Sequence, residues 1–171
     1  MGHINIEIKA KSNNIQEIRR ILTSKQAEFK GLDHQIDTYF NVNFGRLKLR
    51  EGNIENHLIY YNRENKEGPK QSNVILFRTD PESSLKEILK KSLGILTVVD
   101  KEREIYFIDN VKFHLDTVKD LGTYVEIEAI DKNGNIEKEN LLEQCTFYQN
   151  LFNIPKRDLV SVSYSDLLLK K

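Results

Sequence analysis

The sequence predicts an α+β fold, mainly antiparallel β, in which eight strands form the body and helices pack outside it. Three observations predict this. Residues 2–11 alternate strictly, with Ile4, Ile6, Ile8 and Ala10 on one face and Asn5, Glu7, Lys9 and Lys11 on the other. Strand-like stretches recur along the chain, seven more of them. Helical periodicity is confined to a few segments between and after these stretches. Eight antiparallel strands are also enough to close a barrel.

The elements follow in order. An amphipathic helix is predicted over about 14–29, with Ile15, Ile18, Ile21 and Leu22 on one stripe and Gly31 as its stop. Strands are predicted at 36–43, 46–51, 56–63 and 72–79. Pro81, Ser83 and Ser84 open a second helix, apolar at Leu85, Ile88 and Leu89, that ends at Gly94. The stretches 96–108, 110–118 and 123–131 read as strands, the last two joined by a hairpin turn at 119–122. Helices at 137–153 and 164–170 close the chain. No repeat or proline-rich linker divides it, so residues 1–171 are expected to form one domain.

Twenty-six basic residues balance twenty-six acidic ones in 171 residues. That neutrality argues against nucleic acid or an anionic membrane surface as partner, because such binding draws on excess positive charge. One cysteine, Cys145, excludes a disulfide framework and a multi-thiolate zinc site, which points to a reducing compartment. No apolar run reaches the ~20 residues of a membrane helix, and the start of the chain carries no signal-like apolar stretch. The expectation is a cytoplasmic protein, monomer or homodimer.

An antiparallel sheet usually wets one face. Here the polar faces are sorted by sign. Arg46, Lys48 and Arg50 share a face, Arg63 ends the next strand, and Lys101 pairs with Arg103. Glu7, Asp116, Glu126 and Glu128 gather the carboxylates. Any one strand alone reads as a solvated face with anti-aggregation charges. As a set, converging inside one barrel, they would form a basic wall facing an acidic one. A polyphosphate with divalent cations needs both: guanidinium and ammonium groups for phosphate oxygens, grouped carboxylates for a hard metal ion.

The residues then match a family. Asn5-Ile6-Glu7-Ile8-Lys9 resembles the Glu-x-Glu-x-Lys signature of the CYTH superfamily, the triphosphate tunnel metalloenzymes, which include class IV adenylate cyclases, thiamine triphosphatases and inorganic triphosphatases. The resemblance continues, in order, through 37–40, 45–50, 58–63, 68–70, 101–103, 114–116, 122–128 and 163–168. It looks closest to the class-IV-cyclase-like branch. The resemblance implies a closed eight-stranded antiparallel barrel enclosing a tunnel, with Mg²⁺ or Mn²⁺ as cofactor and a small-molecule triphosphate as partner. Carried over, Glu7, Glu126 and Glu128 take metal positions with Asp116 as helper, and Glu7, Lys9, Glu126 and Glu128 the catalytic ones. Lys9, Lys48, Arg50, Arg63 and Arg103 take phosphate positions, joined by Arg46, Lys70 and Lys101, whose facing is less defined. The signature's first Glu is Asn5 here, an uncharged amide, so the acidic wall lacks one charge.

The resemblance implies a metal-dependent triphosphatase. The runner-up reading is a class IV adenylate cyclase, and after it a domain that binds a polyphosphate or nucleotide without turning it over. Tyr60 and Tyr61 read as strand packing rather than an adenine seat. His114 reads as a hydrogen-bonded histidine inside the barrel rather than a ligand, and Cys145 as a small buried core residue.

Overall fold

The alternation at the start of the chain becomes the first wall of a closed barrel. The computed structural model describes residues 2–171. In β1 (Gly2–Lys11), Ile6, Ile8 and Ala10 turn outward into an apolar cluster, while Asn5, Glu7 and Lys9 line the barrel interior. The chain continues through α1 (Ile15–Ser24), β2 (Glu28–Phe40), β3 (Arg46–Glu51), β4 (His57–Arg63) and β5 (Lys70–Arg78). Then come α2 (Leu85–Leu93), β6 (Ile95–Ile108), β7 (Val111–Val118), β8 (Gly122–Asp131), α3 (Lys138–Leu151) and α4 (Tyr164–Leu169). The strands close in the order β1-β5-β4-β3-β2-β6-β7-β8. Every neighbouring pair is antiparallel.

The apolar core lies outside the barrel wall. Ile18 and Leu22 of α1 and Leu141 and Cys145 of α3 pack on the outward faces of β1, β7 and β8, around Phe113 and Ile127. Cys145 donates to the Ile6 carbonyl at 3.1 Å. Burial pushes its thiol up to about 12, so it is an inert core residue. A second cluster, including Tyr39, Tyr61, Val99 and Tyr164, fills part of the interior. Among the described residues no helix is long and apolar enough to cross a membrane.

One stretch departs from the sequence expectation. The helix expected over 14–29 stops at Ser24, and the strand expected from 36 begins at Glu28. Gln26, with φ of 56°, breaks the helix, and Ala27 N donates back to the Leu22 carbonyl. Gly31 is a strand bulge rather than a helix stop. Its φ is 135°, the β2–β6 register shifts between Phe29 and Gly31, and an added Cβ would meet Ile54 at 2.8 Å. Pairing along nearly the whole of β6 takes residues 28–35 into the strand, and Phe29, the expected end of the helix, stays exposed. The remaining boundaries shift by three residues or fewer. The 119–122 turn is present, with Asp120 and Gly122 at positive φ.

Candidate functional site

Because side chains alternate across each strand, most of the charged positions singled out above turn into the barrel. They line a cavity of about 310 Å³. Glu7 and Lys9 enter it from β1, Glu126 and Glu128 from β8, Lys48 and Arg50 from β3, Arg63 from β4, and Lys101 and Arg103 from β6.

Strand register assembles the acidic side. Glu7 lies opposite Glu128 and Lys9 opposite Glu126 across β1–β8, and His114 lies opposite Glu126 across β7–β8. Donor atoms of His114, Glu126 and Glu128 fall within 4.8 Å of one another. His114 Nδ1 is 3.1 Å from Glu126 Oε2 and 3.6 Å from Glu128 Oε1. Lys9 and an Arg103 Nη2 each reach Glu126 at 3.2 Å. Burial raises the Glu126 carboxyl, but Lys9, Arg103 and His114 outweigh it and hold the group well below the usual range. Burial, with Arg103, lowers the imidazole of His114. Glu7 is paired with Arg63. Asn5 is buried, and its Oδ1 has no hydrogen-bond partner.

The basic side is organised by Asp37, which is 1% exposed. Arg50 donates to both its oxygens, from Nε at 2.8 Å and Nη2 at 2.9 Å. Lys48 and Lys101 donate to Oδ2 at 2.8 and 2.7 Å. Burial alone would raise the Asp37 carboxyl; Arg50, Lys101 and Lys48 instead drive it far down. Asp116, expected as a metal helper, has its oxygens on Arg103 at 2.7 and 2.6 Å, and Oδ2 also accepts from Tyr164 at 2.7 Å. Lys9 stands over the Tyr164 ring, 3.8 Å from its centroid, so Tyr164 of α4 braces both sides.

Two expected phosphate groups lie elsewhere. Arg46 ties β3 to α4, bonding Asp166 at 2.7 Å and Asn65 at 3.0 Å. Lys70 opens β5 with its ammonium on the Val160 carbonyl at 2.9 Å. Burial, reinforced by Arg63 and Lys9, lowers it to about 7.

Sequence reasoning missed two groups. Asp37 falls in the matching stretch 37–40, where the resemblance assigns it no role. Asp33, Gln35, Asp37 and Tyr39 sit two apart on one strand face, a signal hidden while 28–35 was read without a strand. Glu55, in the loop before β4, pairs with Lys112 and with Arg50 Nη1, the latter at 3.1 Å. Buried Asp33 fixes that loop by accepting from the amides of Ile54 and Glu55 at 2.9 and 3.0 Å.

Two carboxylates and an imidazole at this separation suit a divalent cation, and the unpartnered Asn5 oxygen on the Glu7 face adds a neutral donor. Glu126 and Glu128 would supply its charged oxygens.

A family model described as the CYTH domain matches residues 3–164. A Methanocaldococcus jannaschii protein named "Putative adenylate cyclase" is 26% identical over 173 residues, which cover 96% of this chain and 98% of that one. A solved Pyrococcus horikoshii OT3 protein is 25% identical, covers 95% of this chain and 98% of its own, and superposes with a TM-score of 0.76. A Hippeastrum protein, described as a "Putative adenylyl cyclase" revealing a dominant triphosphatase activity, shares the fold at 16% identity. There the TM-score is 0.63, with 98% of this chain and 94% of that chain covered.

Proposed function

The chain belongs to the CYTH domain family, and from that premise we propose that it is a triphosphatase dependent on Mg²⁺ or Mn²⁺ that works inside the barrel. One observation carries the reading: a single cavity holds Lys9, Lys48, Arg50, Arg63 and Arg103 together with Glu126, Glu128 and His114. At about 310 Å³ the cavity falls within the range of small-molecule pockets, roughly 300–1,000 Å³.

In phosphoryl transfer the protein mostly positions groups and neutralises charge. Arg50 and Arg63 would hold phosphate oxygens through charge-assisted hydrogen bonds, and Asp37 and Glu7 keep those guanidiniums aimed before substrate arrives. Lys9 and Arg103, now on Glu126, would turn to phosphate. A bound divalent cation supplies the charge that offsets the terminal phosphoryl group. Water then bonds to the terminal phosphorus and gives up a proton to solvent, the bridging P–O bond breaks with its electron pair staying on the diphosphate oxygen, and orthophosphate leaves with that diphosphate.

Hydrolysis asks for nothing more. Cyclisation also needs a seated base and a 3′-hydroxyl aligned on the α-phosphorus. Tyr60 faces outward beside Gly45, and the Tyr61 ring, though it lines the cavity, has Arg46, Lys48 and Arg63 within 5.8 Å of its centroid, where a base would have to stack. Phe107 and His57 give the more exposed end of the cavity an aromatic lip, the feature that favours the cyclase reading. Phosphorus NMR of ATP incubated with the protein and either metal separates the two. ADP with orthophosphate is expected; cyclic AMP with pyrophosphate would assign the site to the cyclase.

A further inference from the structure

We propose that His114 is itself a metal ligand, and that its nitrogen makes this site prefer a first-row transition ion such as Co²⁺ or Zn²⁺ over Mg²⁺. The inference rests on the reading of the cavity as a metal and triphosphate site, and it changes which metal that site is built for.

His114 is 1% exposed and projects from β7 into the cavity between two carboxylates. Its Nδ1 lies 3.1 Å from Glu126 and 3.6 Å from Glu128, and the three donors span no more than 4.8 Å. A metal about 2.0–2.2 Å from each donor keeps them within about 4.4 Å of one another, so a few tenths of an ångström of closure completes a tripod.

Neither tautomer satisfies the ring from protein groups alone. With hydrogen on Nδ1, that nitrogen donates to Glu126 and Nε2 is a buried bare acceptor without a partner. With hydrogen on Nε2, the Nδ1 lone pair faces two carboxylates, a repulsion that a cation on the same spot turns into attraction. Coordination through Nδ1 leaves the ring neutral with its proton on Nε2.

The second observation is Asn5. It is 5% exposed and lines the same cavity, and its Oδ1 has no hydrogen-bond partner. An amide there supplies an oxygen without charge. Mg²⁺ is held chiefly by charged oxygen donors and gives up water reluctantly, so losing a formal charge weakens it most. Imidazole favours Co²⁺ and Zn²⁺ through a more covalent bond that does not depend on that charge. The donor set of this chain therefore trades a hard-ion site for a mixed nitrogen and oxygen one.

The test is calorimetric titration of the full chain with Zn²⁺, Co²⁺ and Mg²⁺, without substrate, for the wild type, His114→Gln and Glu126→Gln. Zn²⁺ and Co²⁺ should bind the wild type more tightly than Mg²⁺, and His114→Gln should weaken them by about tenfold or more while leaving Mg²⁺ nearly unchanged. Co²⁺ bound to the wild type should also show a directly coordinated imidazole nitrogen in pulsed EPR, a readout that needs no variant. Unchanged Zn²⁺ and Co²⁺ affinity in His114→Gln, or no coordinated nitrogen in the wild type, overturns the inference. If Glu126→Gln still loses metal in that case, the carboxylate site stands and only the role of His114 falls. If Glu126→Gln also binds every metal as the wild type does, the metal-dependent triphosphatase reading fails with it.

Discussion

Glu126→Gln should reduce phosphate release from triphosphates by about 10²–10³-fold or more while leaving the fold intact. The substitution keeps the side chain's shape and removes its charge. Glu126 is the crossing point of the interior: Lys9 and Arg103 each reach it at 3.2 Å, and His114 at 3.1 Å. As a neutral amide it no longer attracts a divalent cation, so the acidic side, already short of a charge at Asn5, drops to Glu7 and Glu128. Arg103 keeps its two-pronged contact with Asp116, which limits the loss of stability. Steady-state phosphate release beside thermal unfolding checks both halves. A variant that turns over at the wild-type rate would remove Glu126 from the site.

Asp37→Asn should be the most destabilising single change in the interior. One carboxylate, fully buried, faces Arg50, Lys48 and Lys101; without its charge three cations are left close together out of water. Breaking a buried ion pair by removing one partner costs about 3–5 kcal/mol. For a domain of this size that is a fall of about 6–20 °C in Tm. Tripolyphosphate should recover much of it, raising the Tm of the variant more than that of the wild type, because the ligand replaces the missing negative charge. The pH dependence follows from the depressed carboxyl of Asp37. Its stabilisation is present above the unfolded value of about 3.9 and is lost as pH falls toward the folded one, so the two melting curves should converge in acid. Equal Tm values at neutral pH would show that Asp37 does not balance these cations.

Much of this interior was legible because a strand's two faces can be read from spacing alone. Alternation at 2–11, 46–50, 101–103 and 126–128 separated apolar from charged positions, and the signs on those faces were already sorted. The structure adds why polar faces belong inside: the outward faces of β1, β7 and β8 are the apolar ones, covered by α1 and α3. What spacing could not give was register, and register decides which cation meets which carboxylate. Lys48, Arg50 and Lys101 read as free cations, whereas each already holds Asp37. That partner stayed hidden because, although Asp37 falls within the strand expected at 36–43, spacing does not show that Arg50 lies across from it and that β6 runs along its other side. Glu55 left no periodic trace, since it sits in a loop held by a buried aspartate twenty-two residues earlier in the chain. His114 reads from the sequence as a hydrogen-bonded group, and Glu126 at 3.1 Å gives it a partner; that its Nδ1 stands between two acids emerges only in three dimensions. The net charge of zero was an equally partial guide. It is only a sum, and it conceals a barrel interior in which cations and carboxylates pair with one another, Arg63 with Glu7 and Lys9 with Glu126 among them.

The most direct test of the sign-sorted interior is thermal unfolding with and without tripolyphosphate and a divalent metal, in the wild type and in Arg63→Ala. Arg63 lines the cavity and pairs with Glu7, so it reports on the basic side without disturbing the Asp37 cluster. A clear rise in Tm for the wild type, reduced in Arg63→Ala, is expected. No tripolyphosphate-induced stabilisation in the wild type, with any metal, would contradict a triphosphate site and leave a barrel whose charges serve only each other.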